Sequence, residues 1–237
     1  MRTNPCLDTA RYSSAHPTSR EIRDYTIPFP NYTIFAQSCR FYKKWNVRAV
    51  PIQIQFRGLG DLSELKHWLY AKLTWNPDAD VDTLIDTYCK ACFGPGAKHV
   101  REYIDIVEHA RLRQRWTWFG CYVQDTSHFL TDEDCVRIYV ALGKAAGAAA
   151  RNPEYDARCR RARLPALSLA IWRYQDMLAP AARMNVKLPT LRAIRLPAHQ
   201  PHAREGCTPH RRGEPHRWLA HVARQGSRRN RVLRVQD

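Results

Sequence analysis

The chain has 237 residues, 44% of them hydrophobic and 11% aromatic, so it can bury a core and wholesale disorder is not the first reading. No run of about 18 apolar residues occurs, which excludes a transmembrane helix of the usual kind. The formal charge of +16 is divided unevenly: residues 191–237 hold eleven arginines, no lysine and three acids, half of the excess in a fifth of the length.

Residues 1–20 are polar and unpatterned, with no apolar stretch of the kind a secretory leader carries, so the chain as written is expected to stay in the cytoplasm. Residues 23–27 form a short strand candidate closed by Pro28 and Pro30. Asn31 is placed to cap a helix over about 33–44, with Phe35, Cys39 and Tyr42 on its inner face and Asn46 at its end. Residues 47–55 read as a second strand, in which Ile52 and Ile54 alternate with Gln53 and Gln55; Pro51 fits a strand start or a bulge. Strand, helix, strand with short links is one α/β repeat.

After Gly60 the pattern turns helical. Asp61 is an N-cap candidate with Glu64 three residues on, and Leu62, Leu65, Trp68, Leu69 and Leu73 share one face up to Asn76-Pro77. Asp80 caps the next helix, with Val81, Leu84, Ile85, Tyr88 and Cys92 inward and Gly94-Pro95-Gly96 as the stop. A third helix carries Val100, Tyr103, Ile104 and Val107 to about Arg113. Trp116, Trp118, Phe119 and Tyr122 make a non-helical aromatic stretch. Thr131 and the acids Asp132, Glu133 and Asp134 open a fourth helix, where the dipole favours negative charge, with Ile138, Tyr139 and Leu142 inward. Asn152-Pro153 begins one long helix to about Leu178, kinked at Pro165, with Arg158, Arg160, Arg161 and Arg163 on a solvated face. From Leu191 onward periodicity stops; the Arg/His-rich tail to residue 237 is predicted to be disordered. Its composition is also what an out-of-frame reading of a GC-rich gene produces.

Several segments resemble a known family: IPFPNY at 27–32, RFYKKWNV at 40–47, and ELKHWLYAKLTWNPDADV at 64–81, followed by Tyr88 and Gly94-Pro95-Gly96. Together they resemble the bacterial uncharacterised domain found in proteins similar to alpha-glucuronidases, over residues 23–189. The resemblance implies a (β/α)8 barrel followed by helices. Residues 21–60 would then be its terminal one or two repeats and 61–190 the helical extension, with the earlier repeats outside this chain. The expected fold is therefore mixed and mostly α, a barrel remnant followed by a helical domain and a disordered basic tail.

Glycoside hydrolysis needs two facing carboxylates, in a barrel supplied by the C-terminal ends of several strands. Near the two strand candidates stand only Asp24, Asp61 and Glu64; Asp61 is most simply a helix cap and Glu64 its capping partner or a solvent charge. No acid–base pair can be assigned, and the chain is expected to be a C-terminal fragment of a glycoside-hydrolase-like protein, inactive alone. Substrate contact is what remains. Gln53 and Gln55 share a strand face where amides can bond sugar hydroxyls, and Arg57 follows with a fork suited to a uronate carboxylate. The alternative is that all three serve solvent or loop backbone. Tyr25 and Trp75 can stack on a sugar ring or pack in a core.

Eight cysteines are scattered, as expected of free buried thiols. Cys89 and Cys92 form a C-x-x-C at a helix end with no second pair at zinc spacing, and Asp125, Ser127 and His128 are a loop cluster too close in sequence for a triad. No metal site, P-loop or dinucleotide fingerprint is present in the sequence, so no cofactor is expected. The expected partner is a carbohydrate, with uronate-containing ones among the candidates, once a barrel completes the site. The competing readings are a basic module that binds nucleic acid non-specifically through its tail, and a helical protein-interaction module.

Overall fold

Helix α1 (Ile34–Lys44) forms where the sequence places it, with Ala36 and Cys39 buried and Lys43 and Lys44 in the last turn, where the helix dipole favours positive charge. Its cap differs from expectation. Thr33 is the N-cap residue and makes no side-chain capping bond. Asn31, expected in that role, has its side-chain oxygen buried without a partner. Asn46 takes a left-handed backbone at φ 51° after the last turn, a conformation asparagine tolerates better than most residues. The computed structural model describes residues 26–50, 60–114 and 126–194.

Seven further α-helices follow: α2 (Ser63–Trp75), α3 (Val81–Phe93), α4 (Ala97–Arg113), α5 (Asp132–Ala149), α6 (Pro153–Ala162), α7 (Leu164–Trp172) and α8 (Tyr174–Arg183). The fold is mostly α, and no strand occurs among the described residues. Both strand candidates are affected. Of the first candidate, 23–27, only Thr26 and Ile27 are described; they are turn and bend residues buried in the core, the Thr26 hydroxyl meeting that of Ser168 on α7, and residues 23–25 lie outside the described residues. Residues 47–50 have no regular structure, and the remainder of that strand candidate lies outside the described residues.

Capping chemistry sets three of the helix starts. The Asp80 carboxylate accepts from the Thr83 backbone N–H at the start of α3. Thr131 and Asp134 make a reciprocal capping box on α5. The Asn152 side chain accepts from the N–H groups of Glu154 and Tyr155, with Pro153 at the first position of α6. Gly94 ends α3 at φ +48°, and a short 3-10 turn (Gly94–Gly96) leads into α4. A Cβ at Gly96 would lie 2.8 Å from the Ala145 carbonyl oxygen, so this turn sits directly on the backbone of α5.

α5 is the centre of the packing, touching α4, α6, α7 and α8. Its buried Ile138, Ala141, Leu142 and Ala145 follow the helical period, while every residue of α7 is buried, as an apolar helix without a polar face must be. The single long helix expected after Asn152 is instead three. Breaks fall at Arg163 and at Arg173, the latter with φ −115° and ψ 30°. Pro165 accounts for the first break, since its ring cannot share a helix turn with the preceding carbonyls. Nor do the arginines form one solvated face. Arg158 donates to the Cys92 carbonyl on α3, Arg161 pairs with Glu64 on α2, and the Nε of Arg163 is buried. Only Arg160 behaves as expected, paired with Asp156 at an exposed site.

The tail begins later than its composition implies. Leu191 packs against the core, the chain makes a 3-10 turn at Leu191–Ala193, and Ile194 is buried. Residues 195–237 lie outside the described residues.

Candidate functional site

Asp61 is not the helix cap that its spacing to Glu64 implies. Leu62 takes the N-cap place of α2 in a left-handed conformation (φ 41°), which frees the Asp61 side chain from the helix start. The carboxylate is buried and accepts four donors. The Tyr32 hydroxyl approaches both oxygens at 3.1 Å, the Phe29 backbone N–H one at 2.9 Å, Lys66 Nζ the same one at 2.7 Å, and the Tyr103 hydroxyl the other. Lys66 also donates to the Phe29 carbonyl at 3.0 Å and lies over the Tyr32 ring, 4.5 Å from its centroid. Burial, and then the charge of Asp61, hold the Tyr32 and Tyr103 hydroxyls well above the ordinary tyrosine range, so both remain protonated donors.

A second buried acid completes the arrangement. Glu108 on α4 accepts from the Tyr32 backbone N–H at 2.9 Å and the Thr33 hydroxyl at 2.7 Å. Asp61 and Glu108 together clasp the irregular segment that leads into α1 and dock it on α4. Each carboxylate is spoken for by donors of the fold, so the pair has a positioning role and offers no free acid or base.

A cleft of about 160 Å³ opens beside this clasp, between the first turn of α2, the end of α3 and α6. Ser63, Glu64, Tyr88, Cys92, Arg158 and Arg161 give it its polar character. Arg161 reaches Glu64 at 2.7 Å, and Arg158 reaches Glu154 at 2.5 Å. Burial raises the Tyr88 phenol well above its usual range, with the neighbouring Cys92 adding to it. Positions 158 and 161 share a face because residues three apart on a helix are neighbours; that spacing was visible in the sequence, but nothing in it pointed the face at α2 and α3.

The substrate-contact candidates Gln53, Gln55, Arg57 and Tyr25 lie outside the described residues, as do Asp24 and Asp125. Trp75, read as either a stacking or a core residue, is not in the core: it ends α2 and is 91% exposed. Cys39, Cys89, Cys135 and Cys159 are buried free thiols and Cys92 a half-buried one, as scattered spacing implied. Among the described residues no group of three His, Cys, Asp or Glu side chains is arranged to hold a metal ion. Nor is any described helix long and apolar enough to cross a membrane.

Residues 19–105 match a family described as a domain of unknown function (DUF4838). That segment includes α1 to α3, Asp61 and its partners Phe29, Tyr32, Lys66 and Tyr103, and it ends inside α4 just before Glu108. No curated protein and no solved structure matches the chain.

Proposed function

We propose that this chain is the C-terminal, largely helical portion of a glycoside-hydrolase-like carbohydrate-active protein, and that it does not itself carry the catalytic carboxylates. The observation that carries the proposal is the state of the acids. Asp61, Glu108 and Asp134 are buried and bonded to donors of the fold, and the one acid lining the cleft, Glu64, is paired with Arg161. Hydrolysis needs two carboxylates about 5–9.5 Å apart across an open site. The likeness of residues 64–81 to alpha-glucuronidase-like proteins supports the carbohydrate assignment. On this reading residues 21–60 belong to the terminal repeats of a barrel and carry Gln53, Gln55, Arg57 and Tyr25 to a sugar, with Arg57 suited to a uronate carboxylate. Contact with nucleic acid is non-specific, through the basic tail.

Two measurements test this. The chain should show no turnover of aryl glycosides or of uronate-bearing oligosaccharides, and hydrolysis that purifies with the chain would overturn the non-catalytic assignment. In native gels containing glucuronoxylan it should be retarded; unchanged mobility in that gel and in gels of neutral polysaccharides would remove the carbohydrate assignment.

A further inference from the structure

The first turn of α2 has no side-chain cap and faces the cleft. Its N-cap residue, Leu62, has no side-chain acceptor to offer, and the backbone N–H groups of Glu64 and Leu65 find no acceptor among the described residues. Ser63, 8% exposed, lines the cleft, and its side chain makes no hydrogen bond among the described residues. The Ser63 hydroxyl and the two first-turn amides are donors gathered at one side of the cleft. Across the cleft stand two guanidinium groups. Arg161 commits one terminal nitrogen to Glu64, and Arg158 engages Glu154 and the Cys92 carbonyl. The remaining N–H groups of a planar fork are suited to a carboxylate.

We propose that this cleft binds a small carboxylate, whose oxygens take the Ser63 hydroxyl and the free first-turn amides on one side and Arg161, seconded by Arg158, on the other. Glu64 sets the charge of the ligand. Its own carboxylate competes for Arg161 and disfavours a dianion, so a monocarboxylate is preferred over phosphate. The volume limits the ligand to about the size of one sugar ring or smaller. The assignment stands on the cleft itself and does not require the carbohydrate function proposed above.

Isothermal titration of the full chain with sodium glucuronate, sodium acetate, inorganic phosphate and glucose tests it. Glucuronate or acetate should bind saturably and glucose should not. Arg161→Gln should weaken binding about tenfold, the scale of one charge-assisted hydrogen bond. Ser63→Ala should weaken it about threefold, and Glu64→Gln, which removes the competitor, should strengthen it. The Arg161–Glu64 pair is largely exposed and contributes little to stability, so these variants should keep the parent circular dichroism and melting profile. Absence of saturable binding by both carboxylates, affinity unchanged in Arg161→Gln and Ser63→Ala, or tighter binding of phosphate would each overturn the proposal. Binding of acetate as strongly as glucuronate, with no retardation in polysaccharide gels, would uphold this site while removing the carbohydrate function.

Discussion

The phenol of Tyr103, in the middle of α4, donates to the carboxylate of Asp61 at the mouth of α2, across 42 residues of sequence. With Tyr32 and Lys66 on the same carboxylate, this bond joins three parts of the chain that share no local contact. Asp61→Asn should lower stability by about 3 kcal/mol, because it strands the buried ammonium of Lys66 and sets an amide among donors. Tyr103→Phe removes one charge-assisted bond and should cost about 2 kcal/mol. Urea denaturation of both variants and of the double variant checks this, and strict additivity would show that the two groups are not coupled.

Glycines divide by what surrounds them. Gly94→Ala adds a Cβ at φ +48°, 2.6 Å from the ring of Tyr155, and Gly96→Ala adds one against the Ala145 carbonyl. Each should destabilise by about 1–3 kcal/mol. Gly143 and Gly147 lie in α5 with open space where a Cβ would go, so alanine at either should raise stability by about 0.5–1 kcal/mol. Thermal melts of the four variants should therefore move in opposite directions.

The buried thiols make stability fall in alkali. Burial pushes Cys89 up to about 12 and Cys159 up to about 11, from an ordinary value of 9.0. The folded state then holds protons that the unfolded chain releases. Their contribution is complete below pH 9 and is lost as pH rises toward 11 and 12. Melting temperature should be flat from pH 7 to 8.5 and drop above 9. At pH 8, iodoacetamide should label the half-buried Cys92 before Cys89 or Cys159, as mass spectrometry of brief labelling would show.

Truncation should find the true end of the packed region. Removing residues 195–237 should leave the melt of the helical core unchanged while weakening retention on heparin or nucleic acid, since ten arginines against three acids, seven of the sixteen net charges, lie in that segment. Removing 191–194 as well takes Ile194 out of the core and should lower the melting temperature by several degrees.

The helices were legible because their signals are local. Asp80, Thr131 and Asn152 announce their helices by capping chemistry within three residues, and the apolar period placed Leu65, Leu69, Ile85 and Ile138 inward, as found. Asp61 was misread for the complementary reason. Aspartate with glutamate three residues on is a capping pattern, whereas the tyrosines that claim its carboxylate lie 29 and 42 residues away, a relationship no spacing encodes. The division of the last helix into three was half legible, through Pro165; the break at Arg173 has no proline and follows the turn of the chain around α5. Arg158 and Arg161 looked like solvent charges because the helix ends they meet, on α2 and α3, are set by tertiary packing.

The DUF4838 match stops at residue 105, halfway along α4, yet α4 lies against α5, which begins at Asp132. A polypeptide ended at Asp105 would lose Val107, Glu108 and Ala110 and would present Val100, Tyr103 and Ile104 to water. The stretch that recurs as sequence is therefore shorter than the stretch that can close its own core. In this chain the cover for α4 is α5, held from behind by α7 and α8.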